Sequence, residues 1–174
     1  MSDGHNFSRP QTLSALPQSG LEVRIEAKPQ ERASIAAFLD LPALDQLTAE
    51  LLVAGWRGAG VRVTGTIKTR YAQTCVVTLE PVPKEDRLTI DRKFLPAAML
   101  QQTAEPHEML LDPEGEDPPE PLPATLDLGA LVVEDLALSL DPYPRAPNAP
   151  EPDAGDAVTE KPENPFAVLK SLKF

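Results

Sequence analysis

The chain is poor in the residues on which metal centres and disulfides depend. Its 174 residues include one cysteine, Cys75, and two histidines, His5 and His107. A single cysteine excludes an intrachain disulfide and a cysteine-rich zinc site within one chain. The histidines stand far apart in the sequence, and neither has a second ligand at metal-binding spacing. We therefore expect no metal ion and no other cofactor.

Signatures of the common enzyme classes are missing too. A nucleophilic active site needs a base beside the nucleophile, and only the two isolated histidines offer an imidazole base. The glycine-rich stretch 55–60 lacks the Lys-Ser/Thr ending of a phosphate-binding loop. Most of the carboxylates lie on segments too flexible to hold two of them rigidly in place, so a hydrolase with a carboxylate site is the remote alternative. The sequence predicts a protein that is not an enzyme.

Long apolar runs are absent as well. No stretch approaches the roughly 18 apolar residues that a membrane-spanning helix requires. The first six residues lack the basic and apolar regions of a secretory signal. These two absences predict a cytoplasmic protein with no membrane partner.

Basic residues are scarce where acidic residues are plentiful. Residues 1–100 carry 12 basic and 11 acidic side chains, whereas residues 101–163 carry 2 and 16, and thirteen of the 20 prolines lie between positions 106 and 165. An acidic segment repels phosphate backbones, so we expect no DNA partner and only weak direct contact with RNA. Such a segment suits a basic protein partner, or it only keeps a loop solvated.

Alternation of apolar and polar residues predicts strands in the first hundred residues. Residues 44–54 fit a helix as well as a strand, but the glycine-rich stretch after them and a second alternating run favour a hairpin, and hence a strand over 46–54. Gly65 in the second run predicts a bulge. The predicted strands are 21–27, 46–54, 61–68, 71–79, 88–94 and 107–111.

Helical periodicity predicts two helices beside these strands. One covers residues 29–39, where Pro29 suits the first turn. The other covers residues 127–140, where Asp127 can cap the start and Pro142 ends the helix. The resulting fold class is α+β, with a mostly antiparallel sheet, open or strongly curled, against two or three helices.

The composition also divides the chain into segments. Residues 1–12 are predicted to be a flexible N-terminus, and residues 13–145 a single α+β domain with an acidic, proline-rich loop at 112–124. Residues 146–163 read as a linker. Residues 164–174 form a short helical motif on a flexible C-terminal tail.

This C-terminal motif is the predicted partner-binding site. Asn164 can cap a helix and Pro165 fits its first turn, while the basic end complements the helix dipole. An apolar stripe at helical spacing would dock into a groove of a partner, or fold back on its own domain. The residues assigned to this site are Asn164, Pro165, Phe166, Leu169, Leu172 and Lys173.

Three segments, in this order, carry a resemblance to a known family. Residues 75–81 read CVVTLEP, residues 127–140 read DLGALVVEDLALSL, and residues 164–173 read NPFAVLKSLK. Together they resemble the YceD-like family, the large ribosomal RNA subunit accumulation proteins, over about residues 20–173. The family-motif residues are Cys75, Leu79, Pro81, Asp127, Leu128 and Gly129.

The resemblance implies a non-enzymatic role in the synthesis, processing or stability of large-subunit (23S) ribosomal RNA. Many members carry a second cysteine where this chain has Thr78, so a metal or redox pair is not available here, and Cys75 reads as a small buried apolar residue. The expected partner is a ribosome assembly or RNA-processing protein, or a basic ribosomal protein. The alternative is direct contact with ribosomal RNA through scattered cations, namely Arg57, Arg62, Lys68, Arg70, Arg92 and Lys93.

Overall fold

A computed structural model describes residues 4–13, 16–17, 19–103 and 118–150. None of the helices in this part of the chain has the length and apolar character to cross a bilayer. In chain order the elements are β1 (Pro10–Gln11), β2 (Leu21–Glu26), α1 (Pro29–Phe38), β3 (Ala43–Trp56), β4 (Gly60–Thr74), β5 (Pro81–Leu95), α2 (Ala97–Thr103), β6 (Glu120–Pro121), β7 (Leu126–Asp127) and α3 (Leu128–Ser139).

The main sheet has five strands in the order β2-β3-β4-β5-β6. All its neighbours are antiparallel except β5 and β6, which pair in parallel. A second sheet pairs β1 with β7. The mostly antiparallel sheet and the three helices confirm the α+β fold class, and the sheet order leaves both edge strands apart, so the sheet is open.

The long hairpin of β3 and β4 confirms the choice of strand over helix for residues 46–54. Leu47, Leu51 and Val53 are buried at alternate positions of β3, which is the periodicity of a strand with one covered face. The glycine-rich turn allows the reversal because Gly58 adopts a φ of 79°. The apolar side of this hairpin forms much of the core against which α1 and α3 pack.

The predicted bulge at Gly65 is wrong. Gly65 pairs regularly with Leu51 on one side and Ile90 on the other, and the irregularity of β3 lies between Leu44 and Gln46. Glycine is needed at position 65 for another reason. A Cβ there would collide with the carbonyl oxygen of Glu50, so the close approach of two backbones explains this residue.

The predicted strand over 71–79 ends early. β4 stops at Thr74, and residues 76–78 form a turn before β5 begins at Pro81. Leu79 adopts a φ of 61°, which is incompatible with a β-strand. The residues Tyr, Thr and Val, which favour strands, therefore correctly predicted a strand at 71–74 but wrongly extended it to residue 79.

Residues 4–12 of the predicted flexible N-terminus pack against the domain. Phe7 is 1% exposed and belongs to the core, and β1 pairs with β7. A buried phenylalanine contributes roughly 1.5–3 kcal/mol, enough to hold a short segment in place. The low apolar content of the segment concealed this one anchor.

Part of the predicted acidic loop is also ordered. Glu120 and Pro121 pair with Phe94 and Leu95, so a short ladder forms within residues 112–124 despite the prolines. The described residues also include α2, which was not predicted. The predictions of a strand at 107–111, a loop over 112–117, a linker over 151–163 and a helix at 164–174 lie outside the described residues.

Candidate functional site

The connection between β4 and β5, residues 75–80, contains two family-motif residues, Cys75 and Leu79, and a third, Pro81, follows it directly. We call this connection the Cys75 turn. The amide of Cys75 donates to the carbonyl of Glu80 at 2.9 Å, and the amide of Leu79 donates back to the Cys75 carbonyl at 3.0 Å. The left-handed backbone of Leu79 reverses the chain, and Pro81 opens β5. These bonds close a compact turn in which Cys75 is buried, whereas Val76, Val77 and Leu79 are exposed.

The sulfur of Cys75 is the centre of this turn. Cys75 is buried, and its Sγ accepts amide hydrogen bonds from Val77 and Thr78 at 3.4 Å and from Ala146 at 3.3 Å. The Thr78 hydroxyl, together with these amides, lowers the pKa of the Cys75 thiol to about 6. The expectation of a buried Cys75 is confirmed. Cys75 does not lie in a strand, however, and its sulfur accepts hydrogen bonds from backbone amides.

The Cys75 turn does not bring together a set of metal ligands. Among the residues that the structure describes, no three His, Cys, Asp or Glu side chains lie in an arrangement that could hold a metal ion. Where a second thiolate would stand, Thr78 instead donates to the first one. The turn therefore holds a buried sulfur that accepts several hydrogen bonds.

A segment that follows α3 covers the Cys75 turn, and we call it the 141–146 strap. The amide of Val76 donates to the carbonyl of Pro144 at 2.9 Å. The Gln73 side chain bonds both backbone groups of Asp141, at 2.9 and 3.3 Å, and Lys84 lies 3.1 Å from the Asp141 carboxylate. The amide of Tyr143 and the Lys84 ammonium hold the pKa of Asp141 below its usual value. The strap therefore joins the end of α3 to the family motif.

The turn and strap expose an apolar surface. Seven large apolar side chains are exposed in the described part of the chain, and four of them lie on the turn or strap. Leu79 is 76% exposed and Tyr143 is 75% exposed. Concentration of exposed apolar groups is typical of contact surfaces, whereas scattered ones are ordinary. We call this surface the Cys75-turn patch, which consists of Val76, Val77, Leu79 and Tyr143.

The second family motif, residues 127–129, lies at the start of α3, where it stabilises the helix and the N-terminal segment. The Asp127 carboxylate caps α3 by accepting from the amides of Gly129 and Ala130, and it also accepts from the Arg9 amide at 2.7 Å and the Ser8 hydroxyl at 2.5 Å. Burial would raise the pKa of Asp127, but these donors outweigh it and lower the pKa. The predicted cap is confirmed, and it also fastens the N-terminal segment.

Leu128 and Gly129 support the same junction. Leu128 is 1% exposed in the core. A Cβ on Gly129 would lie 2.7 Å from the carbonyl oxygen of Phe7, so only glycine lets the N-terminal segment approach the helix this closely. Thus the structure brings Cys75, Leu79 and Pro81 together, and places the 127–129 motif at the opposite end of α3 from the strap.

Sequence reasoning missed an ion-pair cluster between β5 and α3. Arg92 forms two bonds to the Glu120 carboxylate, and it lies 2.9 Å from Asp135 and 3.3 Å from Glu134. Burial raises the pKa of Asp135, and Arg92 opposes that rise. The sequence does hint at this cluster, because one charged residue interrupts the apolar face of each element: Asp135 in α3 and Arg92 in β5.

Most of the cations proposed for RNA contact have partners within the chain. Arg62 forms a bidentate pair with Asp91 at 2.7 Å, and Arg70 lies 3.6 Å from Glu85. The Arg57 guanidinium stacks 4.5 Å from the centre of the Trp56 ring. Lys93 is 8% exposed, whereas Lys68 is exposed. Among these cations, Arg62, Arg70 and Arg92 are therefore paired with carboxylates of the same chain.

The predicted partner-binding residues Asn164, Pro165, Phe166, Leu169, Leu172 and Lys173 lie outside the described residues. Searches of curated proteins and of solved structures find no significant match to the chain. The family model of the large ribosomal RNA subunit accumulation protein YceD matches residues 63–173. This span takes in the Cys75 turn, the Arg92 cluster, α3 and the strap, and it covers well over half of the 174 residues. The chain therefore belongs to the YceD family of large ribosomal RNA subunit accumulation proteins.

Proposed function

We propose that this protein is a ribosome biogenesis factor in the cytoplasm, and that it supports accumulation of large-subunit ribosomal RNA by binding a protein rather than by catalysis. The match of the family model over residues 63–173 carries this proposal. The partner is an assembly or RNA-processing protein, or a basic ribosomal protein. The charge of residues 101–163, with 16 acidic and 2 basic side chains, favours fast, salt-sensitive encounter with a basic surface.

The Cys75-turn patch supports binding as the mode of action. Its exposed side chains project from a turn that is fixed by hydrogen bonds to the strap, so little ordering is needed when a partner docks. Leu79 is the most exposed of them, and its left-handed backbone carries a bulky residue that rarely adopts that conformation. A strained apolar residue held in solvent is consistent with selection for contact rather than for stability.

The decisive experiment measures the ratio of large-subunit to small-subunit ribosomal RNA in cells that lack the gene. We expect the ratio to fall, and to recover when the full chain is supplied. An unchanged ratio would remove the proposed role. Leu79→Asn tests the patch, because asparagine tolerates the left-handed backbone while removing the apolar side chain. Thr66→Asn, within β4 and away from the turn, is the control and is expected to restore the ratio fully.

The C-terminal motif is a second proposed contact. Glutamate at both Phe166 and Leu169 would remove the apolar stripe, and glutamine at Lys170 is the control on the same segment. The double variant is expected to rescue the ratio less well than the control variant. Equal rescue by the two variants would exclude the motif from partner binding.

Direct binding to ribosomal RNA is the alternative function. It predicts that affinity for purified ribosomal RNA falls steeply as salt rises, because each phosphate contact releases counterions. The internal pairing of Arg62, Arg70 and Arg92 favours weak binding with a shallow salt dependence. Tight binding with a steep slope would favour the RNA alternative over a protein partner.

A further inference from the structure

A groove of about 850 Å³ runs between the outer edge of β5 and the second half of α3. The strand contributes the consecutive residues 87–93, so the groove follows the edge of the strand rather than one face, since a face would contribute alternate residues. The helix contributes residues 134, 135, 138 and 139, which share one side of α3. Pro118 and Glu120 close one end. The shape is that of a slot beside an edge strand.

Only alternate residues of β5 direct their backbone N–H and C=O groups into this slot. The amide of Leu122 donates to the carbonyl of Leu95 at 2.8 Å, so Leu95 directs its backbone groups toward β6. Along a strand, these groups alternate in direction from one residue to the next. Arg87, Thr89 and Asp91 therefore direct their N–H and C=O groups into the groove.

The strand that already occupies this edge stops short of the groove. Within the described residues, β5 pairs at this edge only through Phe94 and Leu95. The residues before β6 are Pro118 and Pro119, which have no N–H to donate, so β6 cannot extend along β5 as a regular ladder. An edge strand whose backbone donors and acceptors have no neighbouring strand is a template for pairing with a further strand.

The walls of the groove select the chemistry of that strand. The charged side chains that line the groove are three basic and four acidic ones, so one negative charge is in excess: Arg87, Arg92 and Lys93 against Asp91, Glu120, Glu134 and Asp135. The acidic side chains gather around Arg92, which pairs with Glu120, Glu134 and Asp135. The Glu134 side chain is 56% exposed, so its carboxylate is accessible to a cation from outside. At the other end of the wall, Leu138 is 76% exposed and offers an apolar contact.

We propose that this groove binds an extended, basic peptide segment of a protein, which adds to β5 as a strand. Backbone bonds to Thr89 and Asp91 supply affinity, the exposed Glu134 takes a cationic side chain, and Leu138 takes an apolar one. This inference rests on the proposed function in protein binding and specifies the class of partner. It is tested in vitro with the full chain, so its failure is distinguishable from an unchanged ribosomal RNA ratio.

The probe is a fluorescent synthetic peptide of alternating lysine and valine residues. Two control peptides keep the length: one is N-methylated at alternate amides, and one carries glutamate in place of lysine. We expect the parent peptide to bind and to slow hydrogen exchange at the Thr89 and Asp91 amides. We expect both controls to bind at least tenfold more weakly. Equal binding of the N-methylated peptide, or protection elsewhere on the chain, would overturn the added-strand geometry.

Thr89→Pro tests the edge directly. Proline removes the N–H that faces the groove and leaves the bonds between β4 and β5, because the Thr89 amide points away from β4. Thr89→Val is the matched control. We expect the proline variant to lose at least tenfold in affinity and the valine variant to keep it. Leu138→Arg, on an exposed helix position, is a second variant that does not depend on the strand tolerating proline, and it too should weaken binding.

The groove could instead be filled by another part of this chain, and the free protein reveals that outcome. If the Thr89 and Asp91 amides of the unliganded full chain already exchange as slowly as the core amides of β4, its own backbone covers the edge and the proposal is overturned. Fast exchange that slows on addition of the peptide supports it.

Discussion

Arg92 Nη1 lies 2.9 Å from Asp135 Oδ1, which joins the fourth strand of the main sheet to the last described helix. Both side chains are largely withdrawn from solvent, with exposures of 18% and 17%. A charge in such a position is tolerated only with a partner. The pair occupies positions that would otherwise belong to the apolar core, and it carries the edge of β5 and one wall of the groove.

Removal of Arg92 is therefore expected to be costly. Arg92→Met leaves Glu120, Glu134 and Asp135 close together without a counter-charge, and we expect the free energy of unfolding to fall by about 2–4 kcal/mol. Urea denaturation at neutral pH measures the change. Arg24→Met is the control, since the Arg24–Glu50 pair is exposed at 4.0 Å and is expected to contribute less than about 1 kcal/mol. Similar losses in the two variants would contradict this assignment.

Asp127 is expected to make stability depend on acid pH. Its folded-state pKa is lowered, so the stabilisation is complete above the ordinary pKa of about 3.9 and is lost as the pH falls through the folded value. Asp127→Ala should cost about 2 kcal/mol at neutral pH, because it removes the α3 cap and the anchor of Ser8 and Arg9. The difference from the unaltered chain should shrink in strong acid. A difference that is constant with pH would show that the carboxylate charge is not the cause.

Gly129→Ala is expected to destabilise the chain, although alanine is the better helix former by about 1 kcal/mol. The new Cβ would meet the Phe7 carbonyl at 2.7 Å and push the N-terminal segment away from α3. We expect a net loss of about 1–2 kcal/mol in thermal or urea unfolding. Gly55→Ala is the control, since nothing lies within 4 Å of a Cβ there. A stabilised Gly129→Ala variant would mean that the segment moves aside without cost.

The Cys75 thiol is expected to titrate near pH 6, well below a free thiol. Because the chain has one cysteine, the ultraviolet absorbance of its thiolate reports this group alone. Thr78→Val removes the hydroxyl donor and should raise the pKa, whereas Thr78→Ser should preserve it. Identical titration of the valine and serine variants would exclude the hydroxyl as a cause.

The lowered pKa of Cys75 also makes the free energy of unfolding depend on pH. The folded pKa of Cys75 is lowered, so its contribution to stability is fully present above the unfolded pKa and is lost as the pH falls through about 6. The unaltered chain should therefore gain stability relative to Cys75→Ala between pH 6 and pH 9. A gain that appears in the opposite direction would contradict the lowered pKa.

The alternation of apolar and polar residues predicted the helices and strands that have one buried face and one solvated face. β2 follows from periodicity alone, and β3 follows from periodicity together with the glycine-rich turn after it. The helices α1 and α3 follow from periodicity together with Pro29 in the first turn and the Asp127 cap. Periodicity is legible in these segments because one face is buried and the other is solvated. It failed where a single residue decides the backbone, as at Leu79, whose positive φ ends the run that a strand propensity would extend.

The candidate site was predictable only in part. The motif around Cys75 and the capping role of Asp127 are local, so they are visible in the sequence. The strap is not, because Val76 and Pro144 meet through one backbone bond across 68 positions that no side-chain pattern encodes. Arg92 and Asp135 were each visible as a charge on an apolar stripe, but their pairing required the packing of α3 on β5.

The sequence by itself determined the family, the α+β composition, the acidic charge and the capped helix, because these depend on neighbouring residues and on counts. Only the tertiary structure decided that the N-terminal segment is anchored by Phe7, that the strap contacts Cys75, and that a groove lies between β5 and α3 in the described part of the chain. The reason is physical. Local preferences act over a few residues, whereas these features arise when distant segments compete to bury the same apolar surface and to satisfy the same backbone groups.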